Sequence, residues 1–554
     1  MRKGAYLAAS LDVIPRILSR MDRDPASPSC GICDRRFWAW KTVDFPDATL
    51  QRAVHPLAIV WSRDECGATY YRKPRVLEWI MCSVSALSRI QHRNGSFDQA
   101  FPFEQSYGAT AFILHDLVQA FRLVHSELGP GDLEIWLRVL RKAVSFLVAH
   151  EERHGFISNH LAGAACALAY ASDFLEDRTA EASAARLIRR LLAAQSSDGF
   201  FPEYEGADPG YQSLATYYLA LSFRRSPDEE LLEALKKSAR FLSWFIHPDG
   251  TYGGEYGSRN TEVFYPGGFE LLRNDIPLAG VIADVVYEKL GSEAPRVLGS
   301  MDDGNLVPLM VNYLTSHLAS TDAAAGEDEP MQLPSERGEA FRYFREAGIL
   351  IRGTPYYYAI LAPKKGGVLK IYDRRRRHLV WDDGGVVGLA ANGATVTPQV
   401  WNPDARVSCG DDECLIEAAF VRAPLRLPSP FLFLALRAFA LTLGRSIAVG
   451  NWVKRCMISR LLTAKRTYPL RFKRHVRFLA DSIEVTDRIE RTGRAVPSSL
   501  VYGRKFSPVH MATSKYFQSA ELTFEVPSKT IDTSELSQTG EISVVKIVRL
   551  RDDS

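Results

Sequence analysis

Between residues 76 and 320 the apolar positions recur at three- and four-residue steps, which is the spacing of amphipathic helices. The segments VLEWIMCSVSALSRI, LEIWLRVLRKAVSFLVAHE and LLEALKKSARFLSWFI show this pattern along their length. A turn that contains a glycine separates successive helices. Its copies are 60, 44 and 51 residues apart and are centred on Gly95, Gly155, Gly199 and Gly250. A hairpin period of roughly 50 residues predicts an array that closes into an α/α toroid over 76–325.

After residue 340 the pattern changes to a period of two and becomes rich in β-branched residues, as in GGVLKIYD, ECLIEAAFVRA and ISVVKIVRL. Short strands without intervening helices predict an antiparallel β-sandwich over 340–554. The apolar helical pattern of 430–466 predicts a helical insertion. The acidic, proline-containing stretch 320–340 predicts a linker. The expected fold class is therefore multidomain α+β, an N-terminal α/α toroid of helical hairpins followed by an antiparallel β-sandwich.

Residues 1–75 precede the hairpins, and we expect them to form an N-terminal arm. This segment begins with a helical pattern over Tyr6–Met21 and continues through a turn rich in Pro, Ser and Cys. It then reaches an aromatic segment in which Trp38, Trp40 and Phe45 alternate with polar residues, as in an extended strip. A packing role on the next domain is favoured over a substrate-binding role.

The composition is that of a globular protein with large cores, because 46% of the 554 residues are hydrophobic and 24% are charged. The formal net charge of +3 is too small to indicate a nucleic-acid partner. Aromatic residues make up 11% of the chain, which suits stacking on sugar rings and aromatic cores equally well.

The eight cysteines are scattered, and only Cys30 and Cys33 lie close together, as C-G-I-C. A four-cysteine zinc site needs a second pair, and Cys66 with Cys82 lacks that spacing, which disfavours a metal or redox role for Cys30 and Cys33. We predict no metal and no other cofactor. The N-terminus has no apolar run of signal-peptide length, and no run of about 18 apolar residues occurs in the chain. We therefore expect a cytoplasmic protein with reduced thiols, and association with a membrane remains an alternative.

Two short polar clusters stand at the starts of predicted helices, Asn159-His160 in S-N-H and Tyr211 in D-P-G-Y. Taken singly, the first is explained by helix capping and the second by packing at the rim of the toroid. Tyr211 follows His160 by 51 residues, about one hairpin period, so we expect both to face the central cleft from the same rim. Neighbouring turns would reach that rim with four residues that we predict to bind substrate, namely Gln105, Tyr107, Tyr256 and Arg259.

An Asn, a His, a Tyr and an Arg suit the β-elimination of a 4-linked uronic acid. The C5 proton is weakly acidic until the neighbouring carboxylate is neutralised, and Asn, Arg or His can bind that carboxylate and stabilise an enolate-like state. A base then removes the C5 proton, and an acid protonates the departing O4. A tyrosine performs either step if a nearby cation, here Arg259, lowers its pKa from about 10. The same groups would also support epimerisation at C5, in which the proton returns to the other face.

Helical hairpins, an S-N-H motif at a helix start, a D-P-G-Y motif one hairpin later and then an antiparallel sandwich resemble the heparinase II/III-like polysaccharide lyases and their alginate-lyase relatives. The resemblance covers residues 80–554. It implies that Asn159 binds the uronate carboxylate, that His160 is a base or neutralises the carboxylate, and that Tyr211 is acid and base. It also implies an acidic polysaccharide or oligosaccharide as the partner.

One part of the family pattern is missing. A histidine-rich segment of the type H-x-H-x-D is expected early in the sandwich, but the corresponding stretch contains only His378, which lies past the expected place and is kept as a substrate-binding candidate. Three alternatives to a lyase therefore remain. They are a C5-epimerase, a non-catalytic glycan-binding or assembly protein in exopolysaccharide biosynthesis, and a glycoside hydrolase with paired carboxylates among Glu203, Glu205 and Asp208.

Two basic stretches have alternative interpretations. The arginines of 374–377 are interpreted as a solvated loop rather than as the lining of an anionic-glycan groove. Residues 430–477 combine Phe- and Leu-rich faces with many arginines and lysines, which a pair of interfacial membrane helices would also show. A buried helical insertion is favoured, and peripheral membrane contact through 430–477 remains the alternative. The sequence does not determine the oligomeric state.

Overall fold

The computed structural model describes residues 3–153, 155–204, 206–320, 331–423, 429–458, 466–503, 516–518, 522 and 529–550. Within these residues the chain forms a helical N-terminal half and a C-terminal half built mainly from two antiparallel sheets. Residues 321–330 of the predicted linker lie outside the described residues, and so does Glu205.

The N-terminal half is a succession of helices joined by short turns. Several helices begin at a side chain that accepts a hydrogen bond from a backbone N–H of the first turn, as Ser106, Asp177, Asp208 and Asp228 do. The described helices of this half are α1 Gly4–Arg20, α2 Arg35–Trp38, α3 Val54–Ser62, α4 Pro74–Ile90, α5 Tyr107–Val124, α6 Pro130–Ala149, α7 Ser158–Leu175, α8 Arg178–Ala194, α9 Pro209–Arg225, α10 Glu229–Leu242, α11 Gly267–Leu271, α12 Pro277–Leu290, α13 Ala294–Ser300 and α14 Asp303–Ala319.

These helices are arranged as two concentric rings. In the inner ring α3, α5, α7, α9, α11 and α14 contact one another in turn, and α14 returns to α3 and closes the ring. In the outer ring α4, α6, α8, α10 and α12 follow one another in the same way. Inner helices such as α7 present small and apolar residues on almost every side. Outer helices such as α8 carry a charged face that meets solvent. The toroid predicted from the hairpin period is confirmed.

Residues of the first 75 positions belong to this double ring. Helix α1 packs on α13 and α14, where the ring of Tyr6 stacks on that of Tyr313 at a centroid distance of 4.2 Å. Helix α3 is itself a member of the inner ring. The structure thus differs from the expected arm, because the apolar faces of α1 and α3 form part of the seam that closes the toroid. The aromatic segment also differs from an extended strip, since its first part is helix α2 and its Trp38 indole donates to the Arg20 carbonyl at 2.8 Å.

The C-terminal half contains two antiparallel sheets. Their strands are β1 Ala340–Phe344, β2 Ile349–Gly353, β3 Tyr357–Ala362, β4 Val368–Asp373, β5 His378–Asp383, β6 Val386–Leu389, β7 Thr395–Thr397, β8 Arg406–Cys409, β9 Glu413–Arg422, β10 Thr467–Phe478, β11 Ser482–Arg491, β12 Ser499–Tyr502, β13 Lys529–Ile531 and β14 Glu541–Arg549. The first sheet is a meander from β1 to β5, and the second has the order β13-β12-β6-β7-β9-β10-β11-β14 with β8 paired to β9. Side chains of both sheets, among them Leu369 and Val476, share one core, so the predicted antiparallel sandwich is confirmed. A short helix, α17 Thr533–Thr539, precedes β14.

The first sheet packs against the loops that follow α10. In the stretch where the family resemblance placed a histidine-rich motif, the turn between β3 and β4 contributes the buried Lys365. Its ammonium donates to the carbonyl oxygens of Glu255 and Gly257 at 2.7 and 2.6 Å. A buried cation of the sandwich therefore holds in place the toroid loop that carries Arg259.

The predicted helical insertion is formed by α15 Pro430–Leu441 and α16 Ile447–Ile458, while residues 459–465 lie outside the described part of the chain. It is not buried, as had been favoured, because Phe431, Leu434 and Trp452 are 81%, 67% and 59% exposed. The insertion lies on the surface of the toroid and leaves a large apolar area uncovered.

The cysteines and the arginine-rich stretch also have defined environments. Cys409 and Cys414 form a disulfide across the β8–β9 hairpin, which differs from the expected reduced thiols. Cys30 and Cys33 are buried thiols, and burial raises the pKa of each to about 12. The turn between β4 and β5 exposes residues 375–377 to solvent. No helix in the described part of the chain is long and apolar enough to cross a membrane.

Candidate active site

A cavity of about 640 Å³, lined by many charged side chains, opens at one rim of the toroid. Four of the side chains predicted from the sequence line it together: Asn159, His160, Tyr211 and Arg259. The rest of the wall comes largely from the first 75 residues and from the start of α14. Its charged members are Arg20, Asp34, Arg35, Arg36, Asp47, Arg52, Asp302 and Asp303.

Asn159 lies in the first turn of α7 and is held by a buried carboxylate. A single backbone bridge pairs Ile157 with Glu203, so the two rim turns that precede α7 and α9 run side by side. The Asn159 side-chain nitrogen lies 3.0 and 2.9 Å from the two oxygens of Glu203, and the Asn159 backbone N–H donates to one of them at 2.9 Å. Burial raises the pKa of Glu203 to about 7, even though the Asn159 hydrogen bonds and the Arg259 charge act in the opposite direction.

His160 has one ring nitrogen engaged behind the cavity. Its Nδ1 lies 2.9 Å from Glu152 Oε2, and Glu152 is buried. Because the carboxylate accepts a hydrogen bond, it favours the tautomer in which Nδ1 carries the proton and Nε2 is the basic nitrogen. The edge of the imidazole meets Phe112 at a centroid distance of 5.3 Å. A carboxylate and an aromatic wall thus fix the orientation of the ring.

The space for this imidazole depends on a glycine of the neighbouring helix. A Cβ atom on Gly108, in the first turn of α5, would lie 2.5 Å from both Cε1 and Nδ1 of His160. Such a distance is well inside van der Waals contact. The absence of a side chain at Gly108 therefore permits the observed position of His160.

Tyr211 and Arg259 come together from consecutive hairpins. The Arg259 guanidinium lies 4.9 Å from the ring centre of Tyr211 and 4.8 Å from that of Tyr204, so the cation is placed between two phenols. Burial disfavours the charged guanidinium, but the neighbouring phenols and the carboxylate of Glu203 outweigh it and raise the pKa of Arg259. In the part of the chain that the structure describes, the Arg259 Nε–H is buried without a hydrogen-bond acceptor.

A single buried carboxylate, Asp208, positions both of these residues. One of its oxygens accepts the backbone N–H of Tyr211 at 3.0 Å and caps α9. The other accepts the backbone N–H of Arg259 at 2.9 Å and that of Thr261 at 3.3 Å. Asp208 was a candidate acid of a hydrolase in the sequence, but its oxygens are engaged by backbone and it does not line the cavity.

The floor of the cavity is a buried charged network. Arg52 makes an ion pair with Asp116, whose other oxygen lies 3.0 Å from His55 Nδ1. The Arg52 guanidinium also lies 5.1 Å from the ring centre of Phe112. This network has no sign in the sequence, because Arg52 and Asp116 are 64 residues apart and neither belongs to a motif.

One group of side chains has the donor atoms of a metal site, namely His55, His115 and Asp116, whose ligand atoms lie within 4.8 Å of one another. These residues are explained without an ion, because Asp116 is already paired with the Arg52 cation, which would repel a metal. Burial lowers the pKa of His115 to about 3, so its imidazole is neutral. The absence of a metal and of other cofactors stays a prediction.

The wall supplied by the first 75 residues is made of ion pairs. Arg36 pairs with Asp34 at 3.2 Å, and Arg20 pairs with Asp303 at 3.0 Å. Arg35 donates to the carbonyl of Ser19 at 3.3 Å. The sequence pattern predicted an arm for these residues, and their place in the cavity had no local sign. They reach the cavity because α14 closes the ring against α3 and α1 packs on α14 at this seam.

Four residues predicted to bind substrate do not line the cavity. Gln105 accepts a hydrogen bond from Asn94 and donates to the Arg445 carbonyl, and the hydroxyl of Tyr107 is buried. Tyr256 lies in the core with its hydroxyl 2.9 Å from His247 Nε2. His378 begins β5 on the surface of the first sheet. Sequence spacing placed these residues near the rim but could not say which way each side chain points.

Comparison with known proteins agrees with this architecture. No protein-family model and no curated protein sequence matches the chain. The chondroitin AC lyase of Streptomyces coelicolor A3, solved in complex with chondroitin sulphate, is similar with a TM-score of 0.54 and 12% identity, covering 90% of this chain and 67% of the lyase. Heparinase III is similar with a TM-score of 0.50 and 12% identity, covering 90% of this chain and 72% of that enzyme. The chain therefore has the fold of these polysaccharide lyases, and at this identity the likeness extends to the fold alone.

Proposed function

We propose that this protein is a polysaccharide lyase that cleaves a uronic-acid-containing polysaccharide by β-elimination. The observation that carries the proposal is that an amide, an imidazole, a phenol and a guanidinium, from Asn159, His160, Tyr211 and Arg259, line the same cavity. This set can neutralise a carboxylate, abstract the proton next to it and protonate a leaving oxygen.

The carboxylate of the uronate would be bound by Asn159 and Arg259. The Asn159 nitrogen carries two hydrogens, and a three-centre bond to both oxygens of Glu203 would use one of them and leave the second for substrate. Arg259 contributes a buried cation, with an Nε–H that has no acceptor among the described residues. Binding of the carboxylate by these donors would stabilise the enolate-like state that forms when the C5 proton leaves.

Proton transfer would be shared by His160 and Tyr211. The imidazole Nε2 is the basic nitrogen, because Glu152 accepts the bond from Nδ1. His160 Nε2 would take the C5 proton, the electron pair of the broken C5–H bond would form the C4–C5 double bond, and the C4–O4 bond would break with its electron pair on O4. Tyr211 is the group that we assign to protonation of O4, and the adjacent Arg259 cation would stabilise negative charge on its oxygen. Each transfer is worth about 10²–10⁴-fold in rate.

Glycoside hydrolysis is supported less well by the same cavity. It requires two carboxyl groups on either side of the scissile bond. Glu203 is buried behind Asn159, and both of its oxygens face the Asn159 amide rather than the cavity. An acidic polysaccharide is thus the substrate class that the cavity supports best, with elimination as the reaction.

The test is to incubate the purified protein with a panel of uronate polymers, sulfated and unsulfated, and to follow the ultraviolet absorbance of the new C4–C5 double bond. We expect absorbance to grow with wild type on at least one polymer and to fall at least about 10²-fold with Tyr211→Phe. Tyr170→Phe is the matched control, because that hydroxyl donates to the Leu221 carbonyl away from the cavity.

Other outcomes would contradict elimination and identify an alternative. New reducing ends without absorbance would indicate hydrolysis. Exchange of the C5 proton with deuterated solvent, without chain cleavage, would indicate an epimerase. Binding of a polymer without any of these changes would indicate a glycan-binding protein.

A further inference from the structure

The helical insertion carries an exposed apolar surface that no described part of the chain covers. We call it the insertion surface. Its large apolar residues are exposed by about half or more of their area, and they are Phe431, Leu432, Phe433, Leu434, Leu441, Leu443 and Trp452. Folded proteins rarely expose so many large apolar side chains in one place without a partner.

The insertion is anchored to the toroid by polar contacts on its other side. Arg437 of α15 pairs with Asp44 at 2.8 Å, and Lys454 of α16 pairs with Glu104 at 3.1 Å. The Gln105 side chain donates to the Arg445 carbonyl at 3.1 Å. These contacts hold both helices against the rim loops, so the apolar side chains are presented outward by a fixed platform.

The insertion itself carries charge of one sign. Residues 429–458 contain no Asp or Glu, whereas they contain four arginines and lysines. Among those of the insertion, Arg445 and Arg455 are exposed. Such a stretch complements an anionic surface and would be repelled by a cationic one.

We infer that the insertion surface binds peripherally to a bilayer that contains anionic lipid. Helices that lie in the membrane interface combine Phe, Leu and Trp on the buried side with Lys and Arg near the headgroups. Helix α15 has 12 residues and a length of about 18 Å, against a hydrocarbon core of about 30 Å, so it suits the interface. Its exposed Phe-Leu-Phe-Leu run projects from the surface, and a bilayer accepts such a protrusion without needing a matching groove.

Docking at the insertion surface does not depend on the proposed catalytic function. It would nevertheless bring the membrane close to the cavity, because Glu104 accepts the backbone N–H of Gln99, a residue of the cavity wall, at 3.0 Å. Lys454 and Gln99 thus contact the same carboxylate from the insertion and from the wall.

The experiment is co-sedimentation of the full chain with vesicles of phosphatidylcholine, with and without about one-fifth phosphatidylglycerol. We expect binding to the anionic vesicles that weakens at high salt. The double variant Phe431→Ser/Leu434→Ser should reduce the bound fraction at least about tenfold. Arg445→Gln/Arg455→Gln should reduce the preference for anionic vesicles.

Val545→Ser is the matched control, because Val545 is also 65% exposed but belongs to β14 of the sandwich. It should bind vesicles as wild type does. All variants should keep the wild-type melting temperature, since the changed side chains are exposed. Turnover of a soluble substrate, if elimination is found, should also be unchanged in the Phe431/Leu434 variant.

The inference is overturned if wild type does not sediment with anionic vesicles, or if the Phe431/Leu434 variant binds as well as wild type. Light scattering on the same samples tests a second explanation, in which the insertion surface joins two copies of the chain. A wild-type dimer that the Phe431/Leu434 variant dissociates, without vesicle binding by either, would assign the insertion surface to contact between two copies of the chain.

Discussion

Asn159 in the cavity wall is hydrogen-bonded to Glu203 behind it, with the amide nitrogen of Asn159 at 3.0 and 2.9 Å from the two oxygens of this buried carboxylate. The same carboxylate accepts the Asn159 backbone N–H. Glu203 therefore determines both the start of α7 and the orientation of its first functional side chain. Burial disfavours the charged form of this carboxylate, and the pKa of Glu203 is therefore raised.

The Glu203→Gln variant should change how stability depends on pH. The folded-state pKa of Glu203 is raised from 4.5 to about 7, so its contribution favours the folded state fully below pH 4.5 and is lost as the pH rises towards 7. The free energy of unfolding of wild type minus that of Glu203→Gln should fall by about 3 kcal/mol over this range. Urea titrations at a series of pH values measure it.

Glu134→Gln on the exposed face of α6 is the control for loss of one carboxylate, and it should leave the pH dependence close to that of wild type. A Glu203→Gln profile parallel to the wild-type profile between pH 4.5 and 7 would contradict the assigned environment of Glu203.

Glu152→Gln should slow elimination by loosening the His160 ring. The carboxylate orients the imidazole from 2.9 Å but does not line the cavity, so kcat should fall about 10–100-fold while KM changes little. The neighbouring Glu151→Gln breaks only an exposed ion pair with Arg186 at 2.8 Å and should retain wild-type kcat. Steady-state kinetics on the best polymer compare the two. Equal rates for both variants would remove Glu152 from the mechanism.

Gly108→Ala should displace the imidazole of His160, because the new methyl group would lie 2.5 Å from two of its ring atoms. We expect kcat to fall at least about tenfold and the free energy of unfolding to fall by about 1–3 kcal/mol. Gly131→Ala in α6 has open space around the added methyl group and should keep both quantities near wild type or gain a little stability. Activity assays and thermal melts make the comparison. Full activity of Gly108→Ala would show that the position of His160 is not required.

Asp208→Ala should cost more than an ordinary helix cap. Asp228 caps α10 with a bond of 2.8 Å to Leu231 N, and its replacement by Ala should cost about 1 kcal/mol without loss of activity. Asp208 caps α9 and also accepts two backbone N–H groups from the Arg259 loop, so its loss should cost about 3 kcal/mol and lower kcat. Denaturant titration and kinetics test both variants. Similar effects of the two changes would mean that Asp208 acts only as a cap.

Much of the fold was predictable because its determinants are local. The hairpin period, the glycine turns and the change from a period of 3.6 to a period of two are repeated many times, and each repeat is an independent sign of the same architecture. The spacing of Asn159-His160 and Tyr211 by one hairpin also identified three residues that line the cavity. Their catalytic roles stay predictions until turnover is measured.

The partners of these residues were not predictable in the same way. Tyr256 and Tyr107 have the same residue type as Tyr211 and were predicted at the same rim, yet their hydroxyls are buried, because the direction of a side chain depends on the packing of the next hairpin. The exposure of the insertion could not be predicted either, since its combination of apolar and basic residues suits a buried insertion and a pair of interfacial helices alike.

Short spacings in this sequence therefore define the helical hairpins, the strands and the first members of the site, since each depends on residues within about one turn or one hairpin. Closure of the ring brings Arg36, Arg52 and Asp303 to the cavity, and pairing of rim loops brings Glu203 to Asn159. Those contacts join residues that are far apart in the chain. They are set by the packing of the helices and rim loops of the whole toroid, for which no local pattern exists.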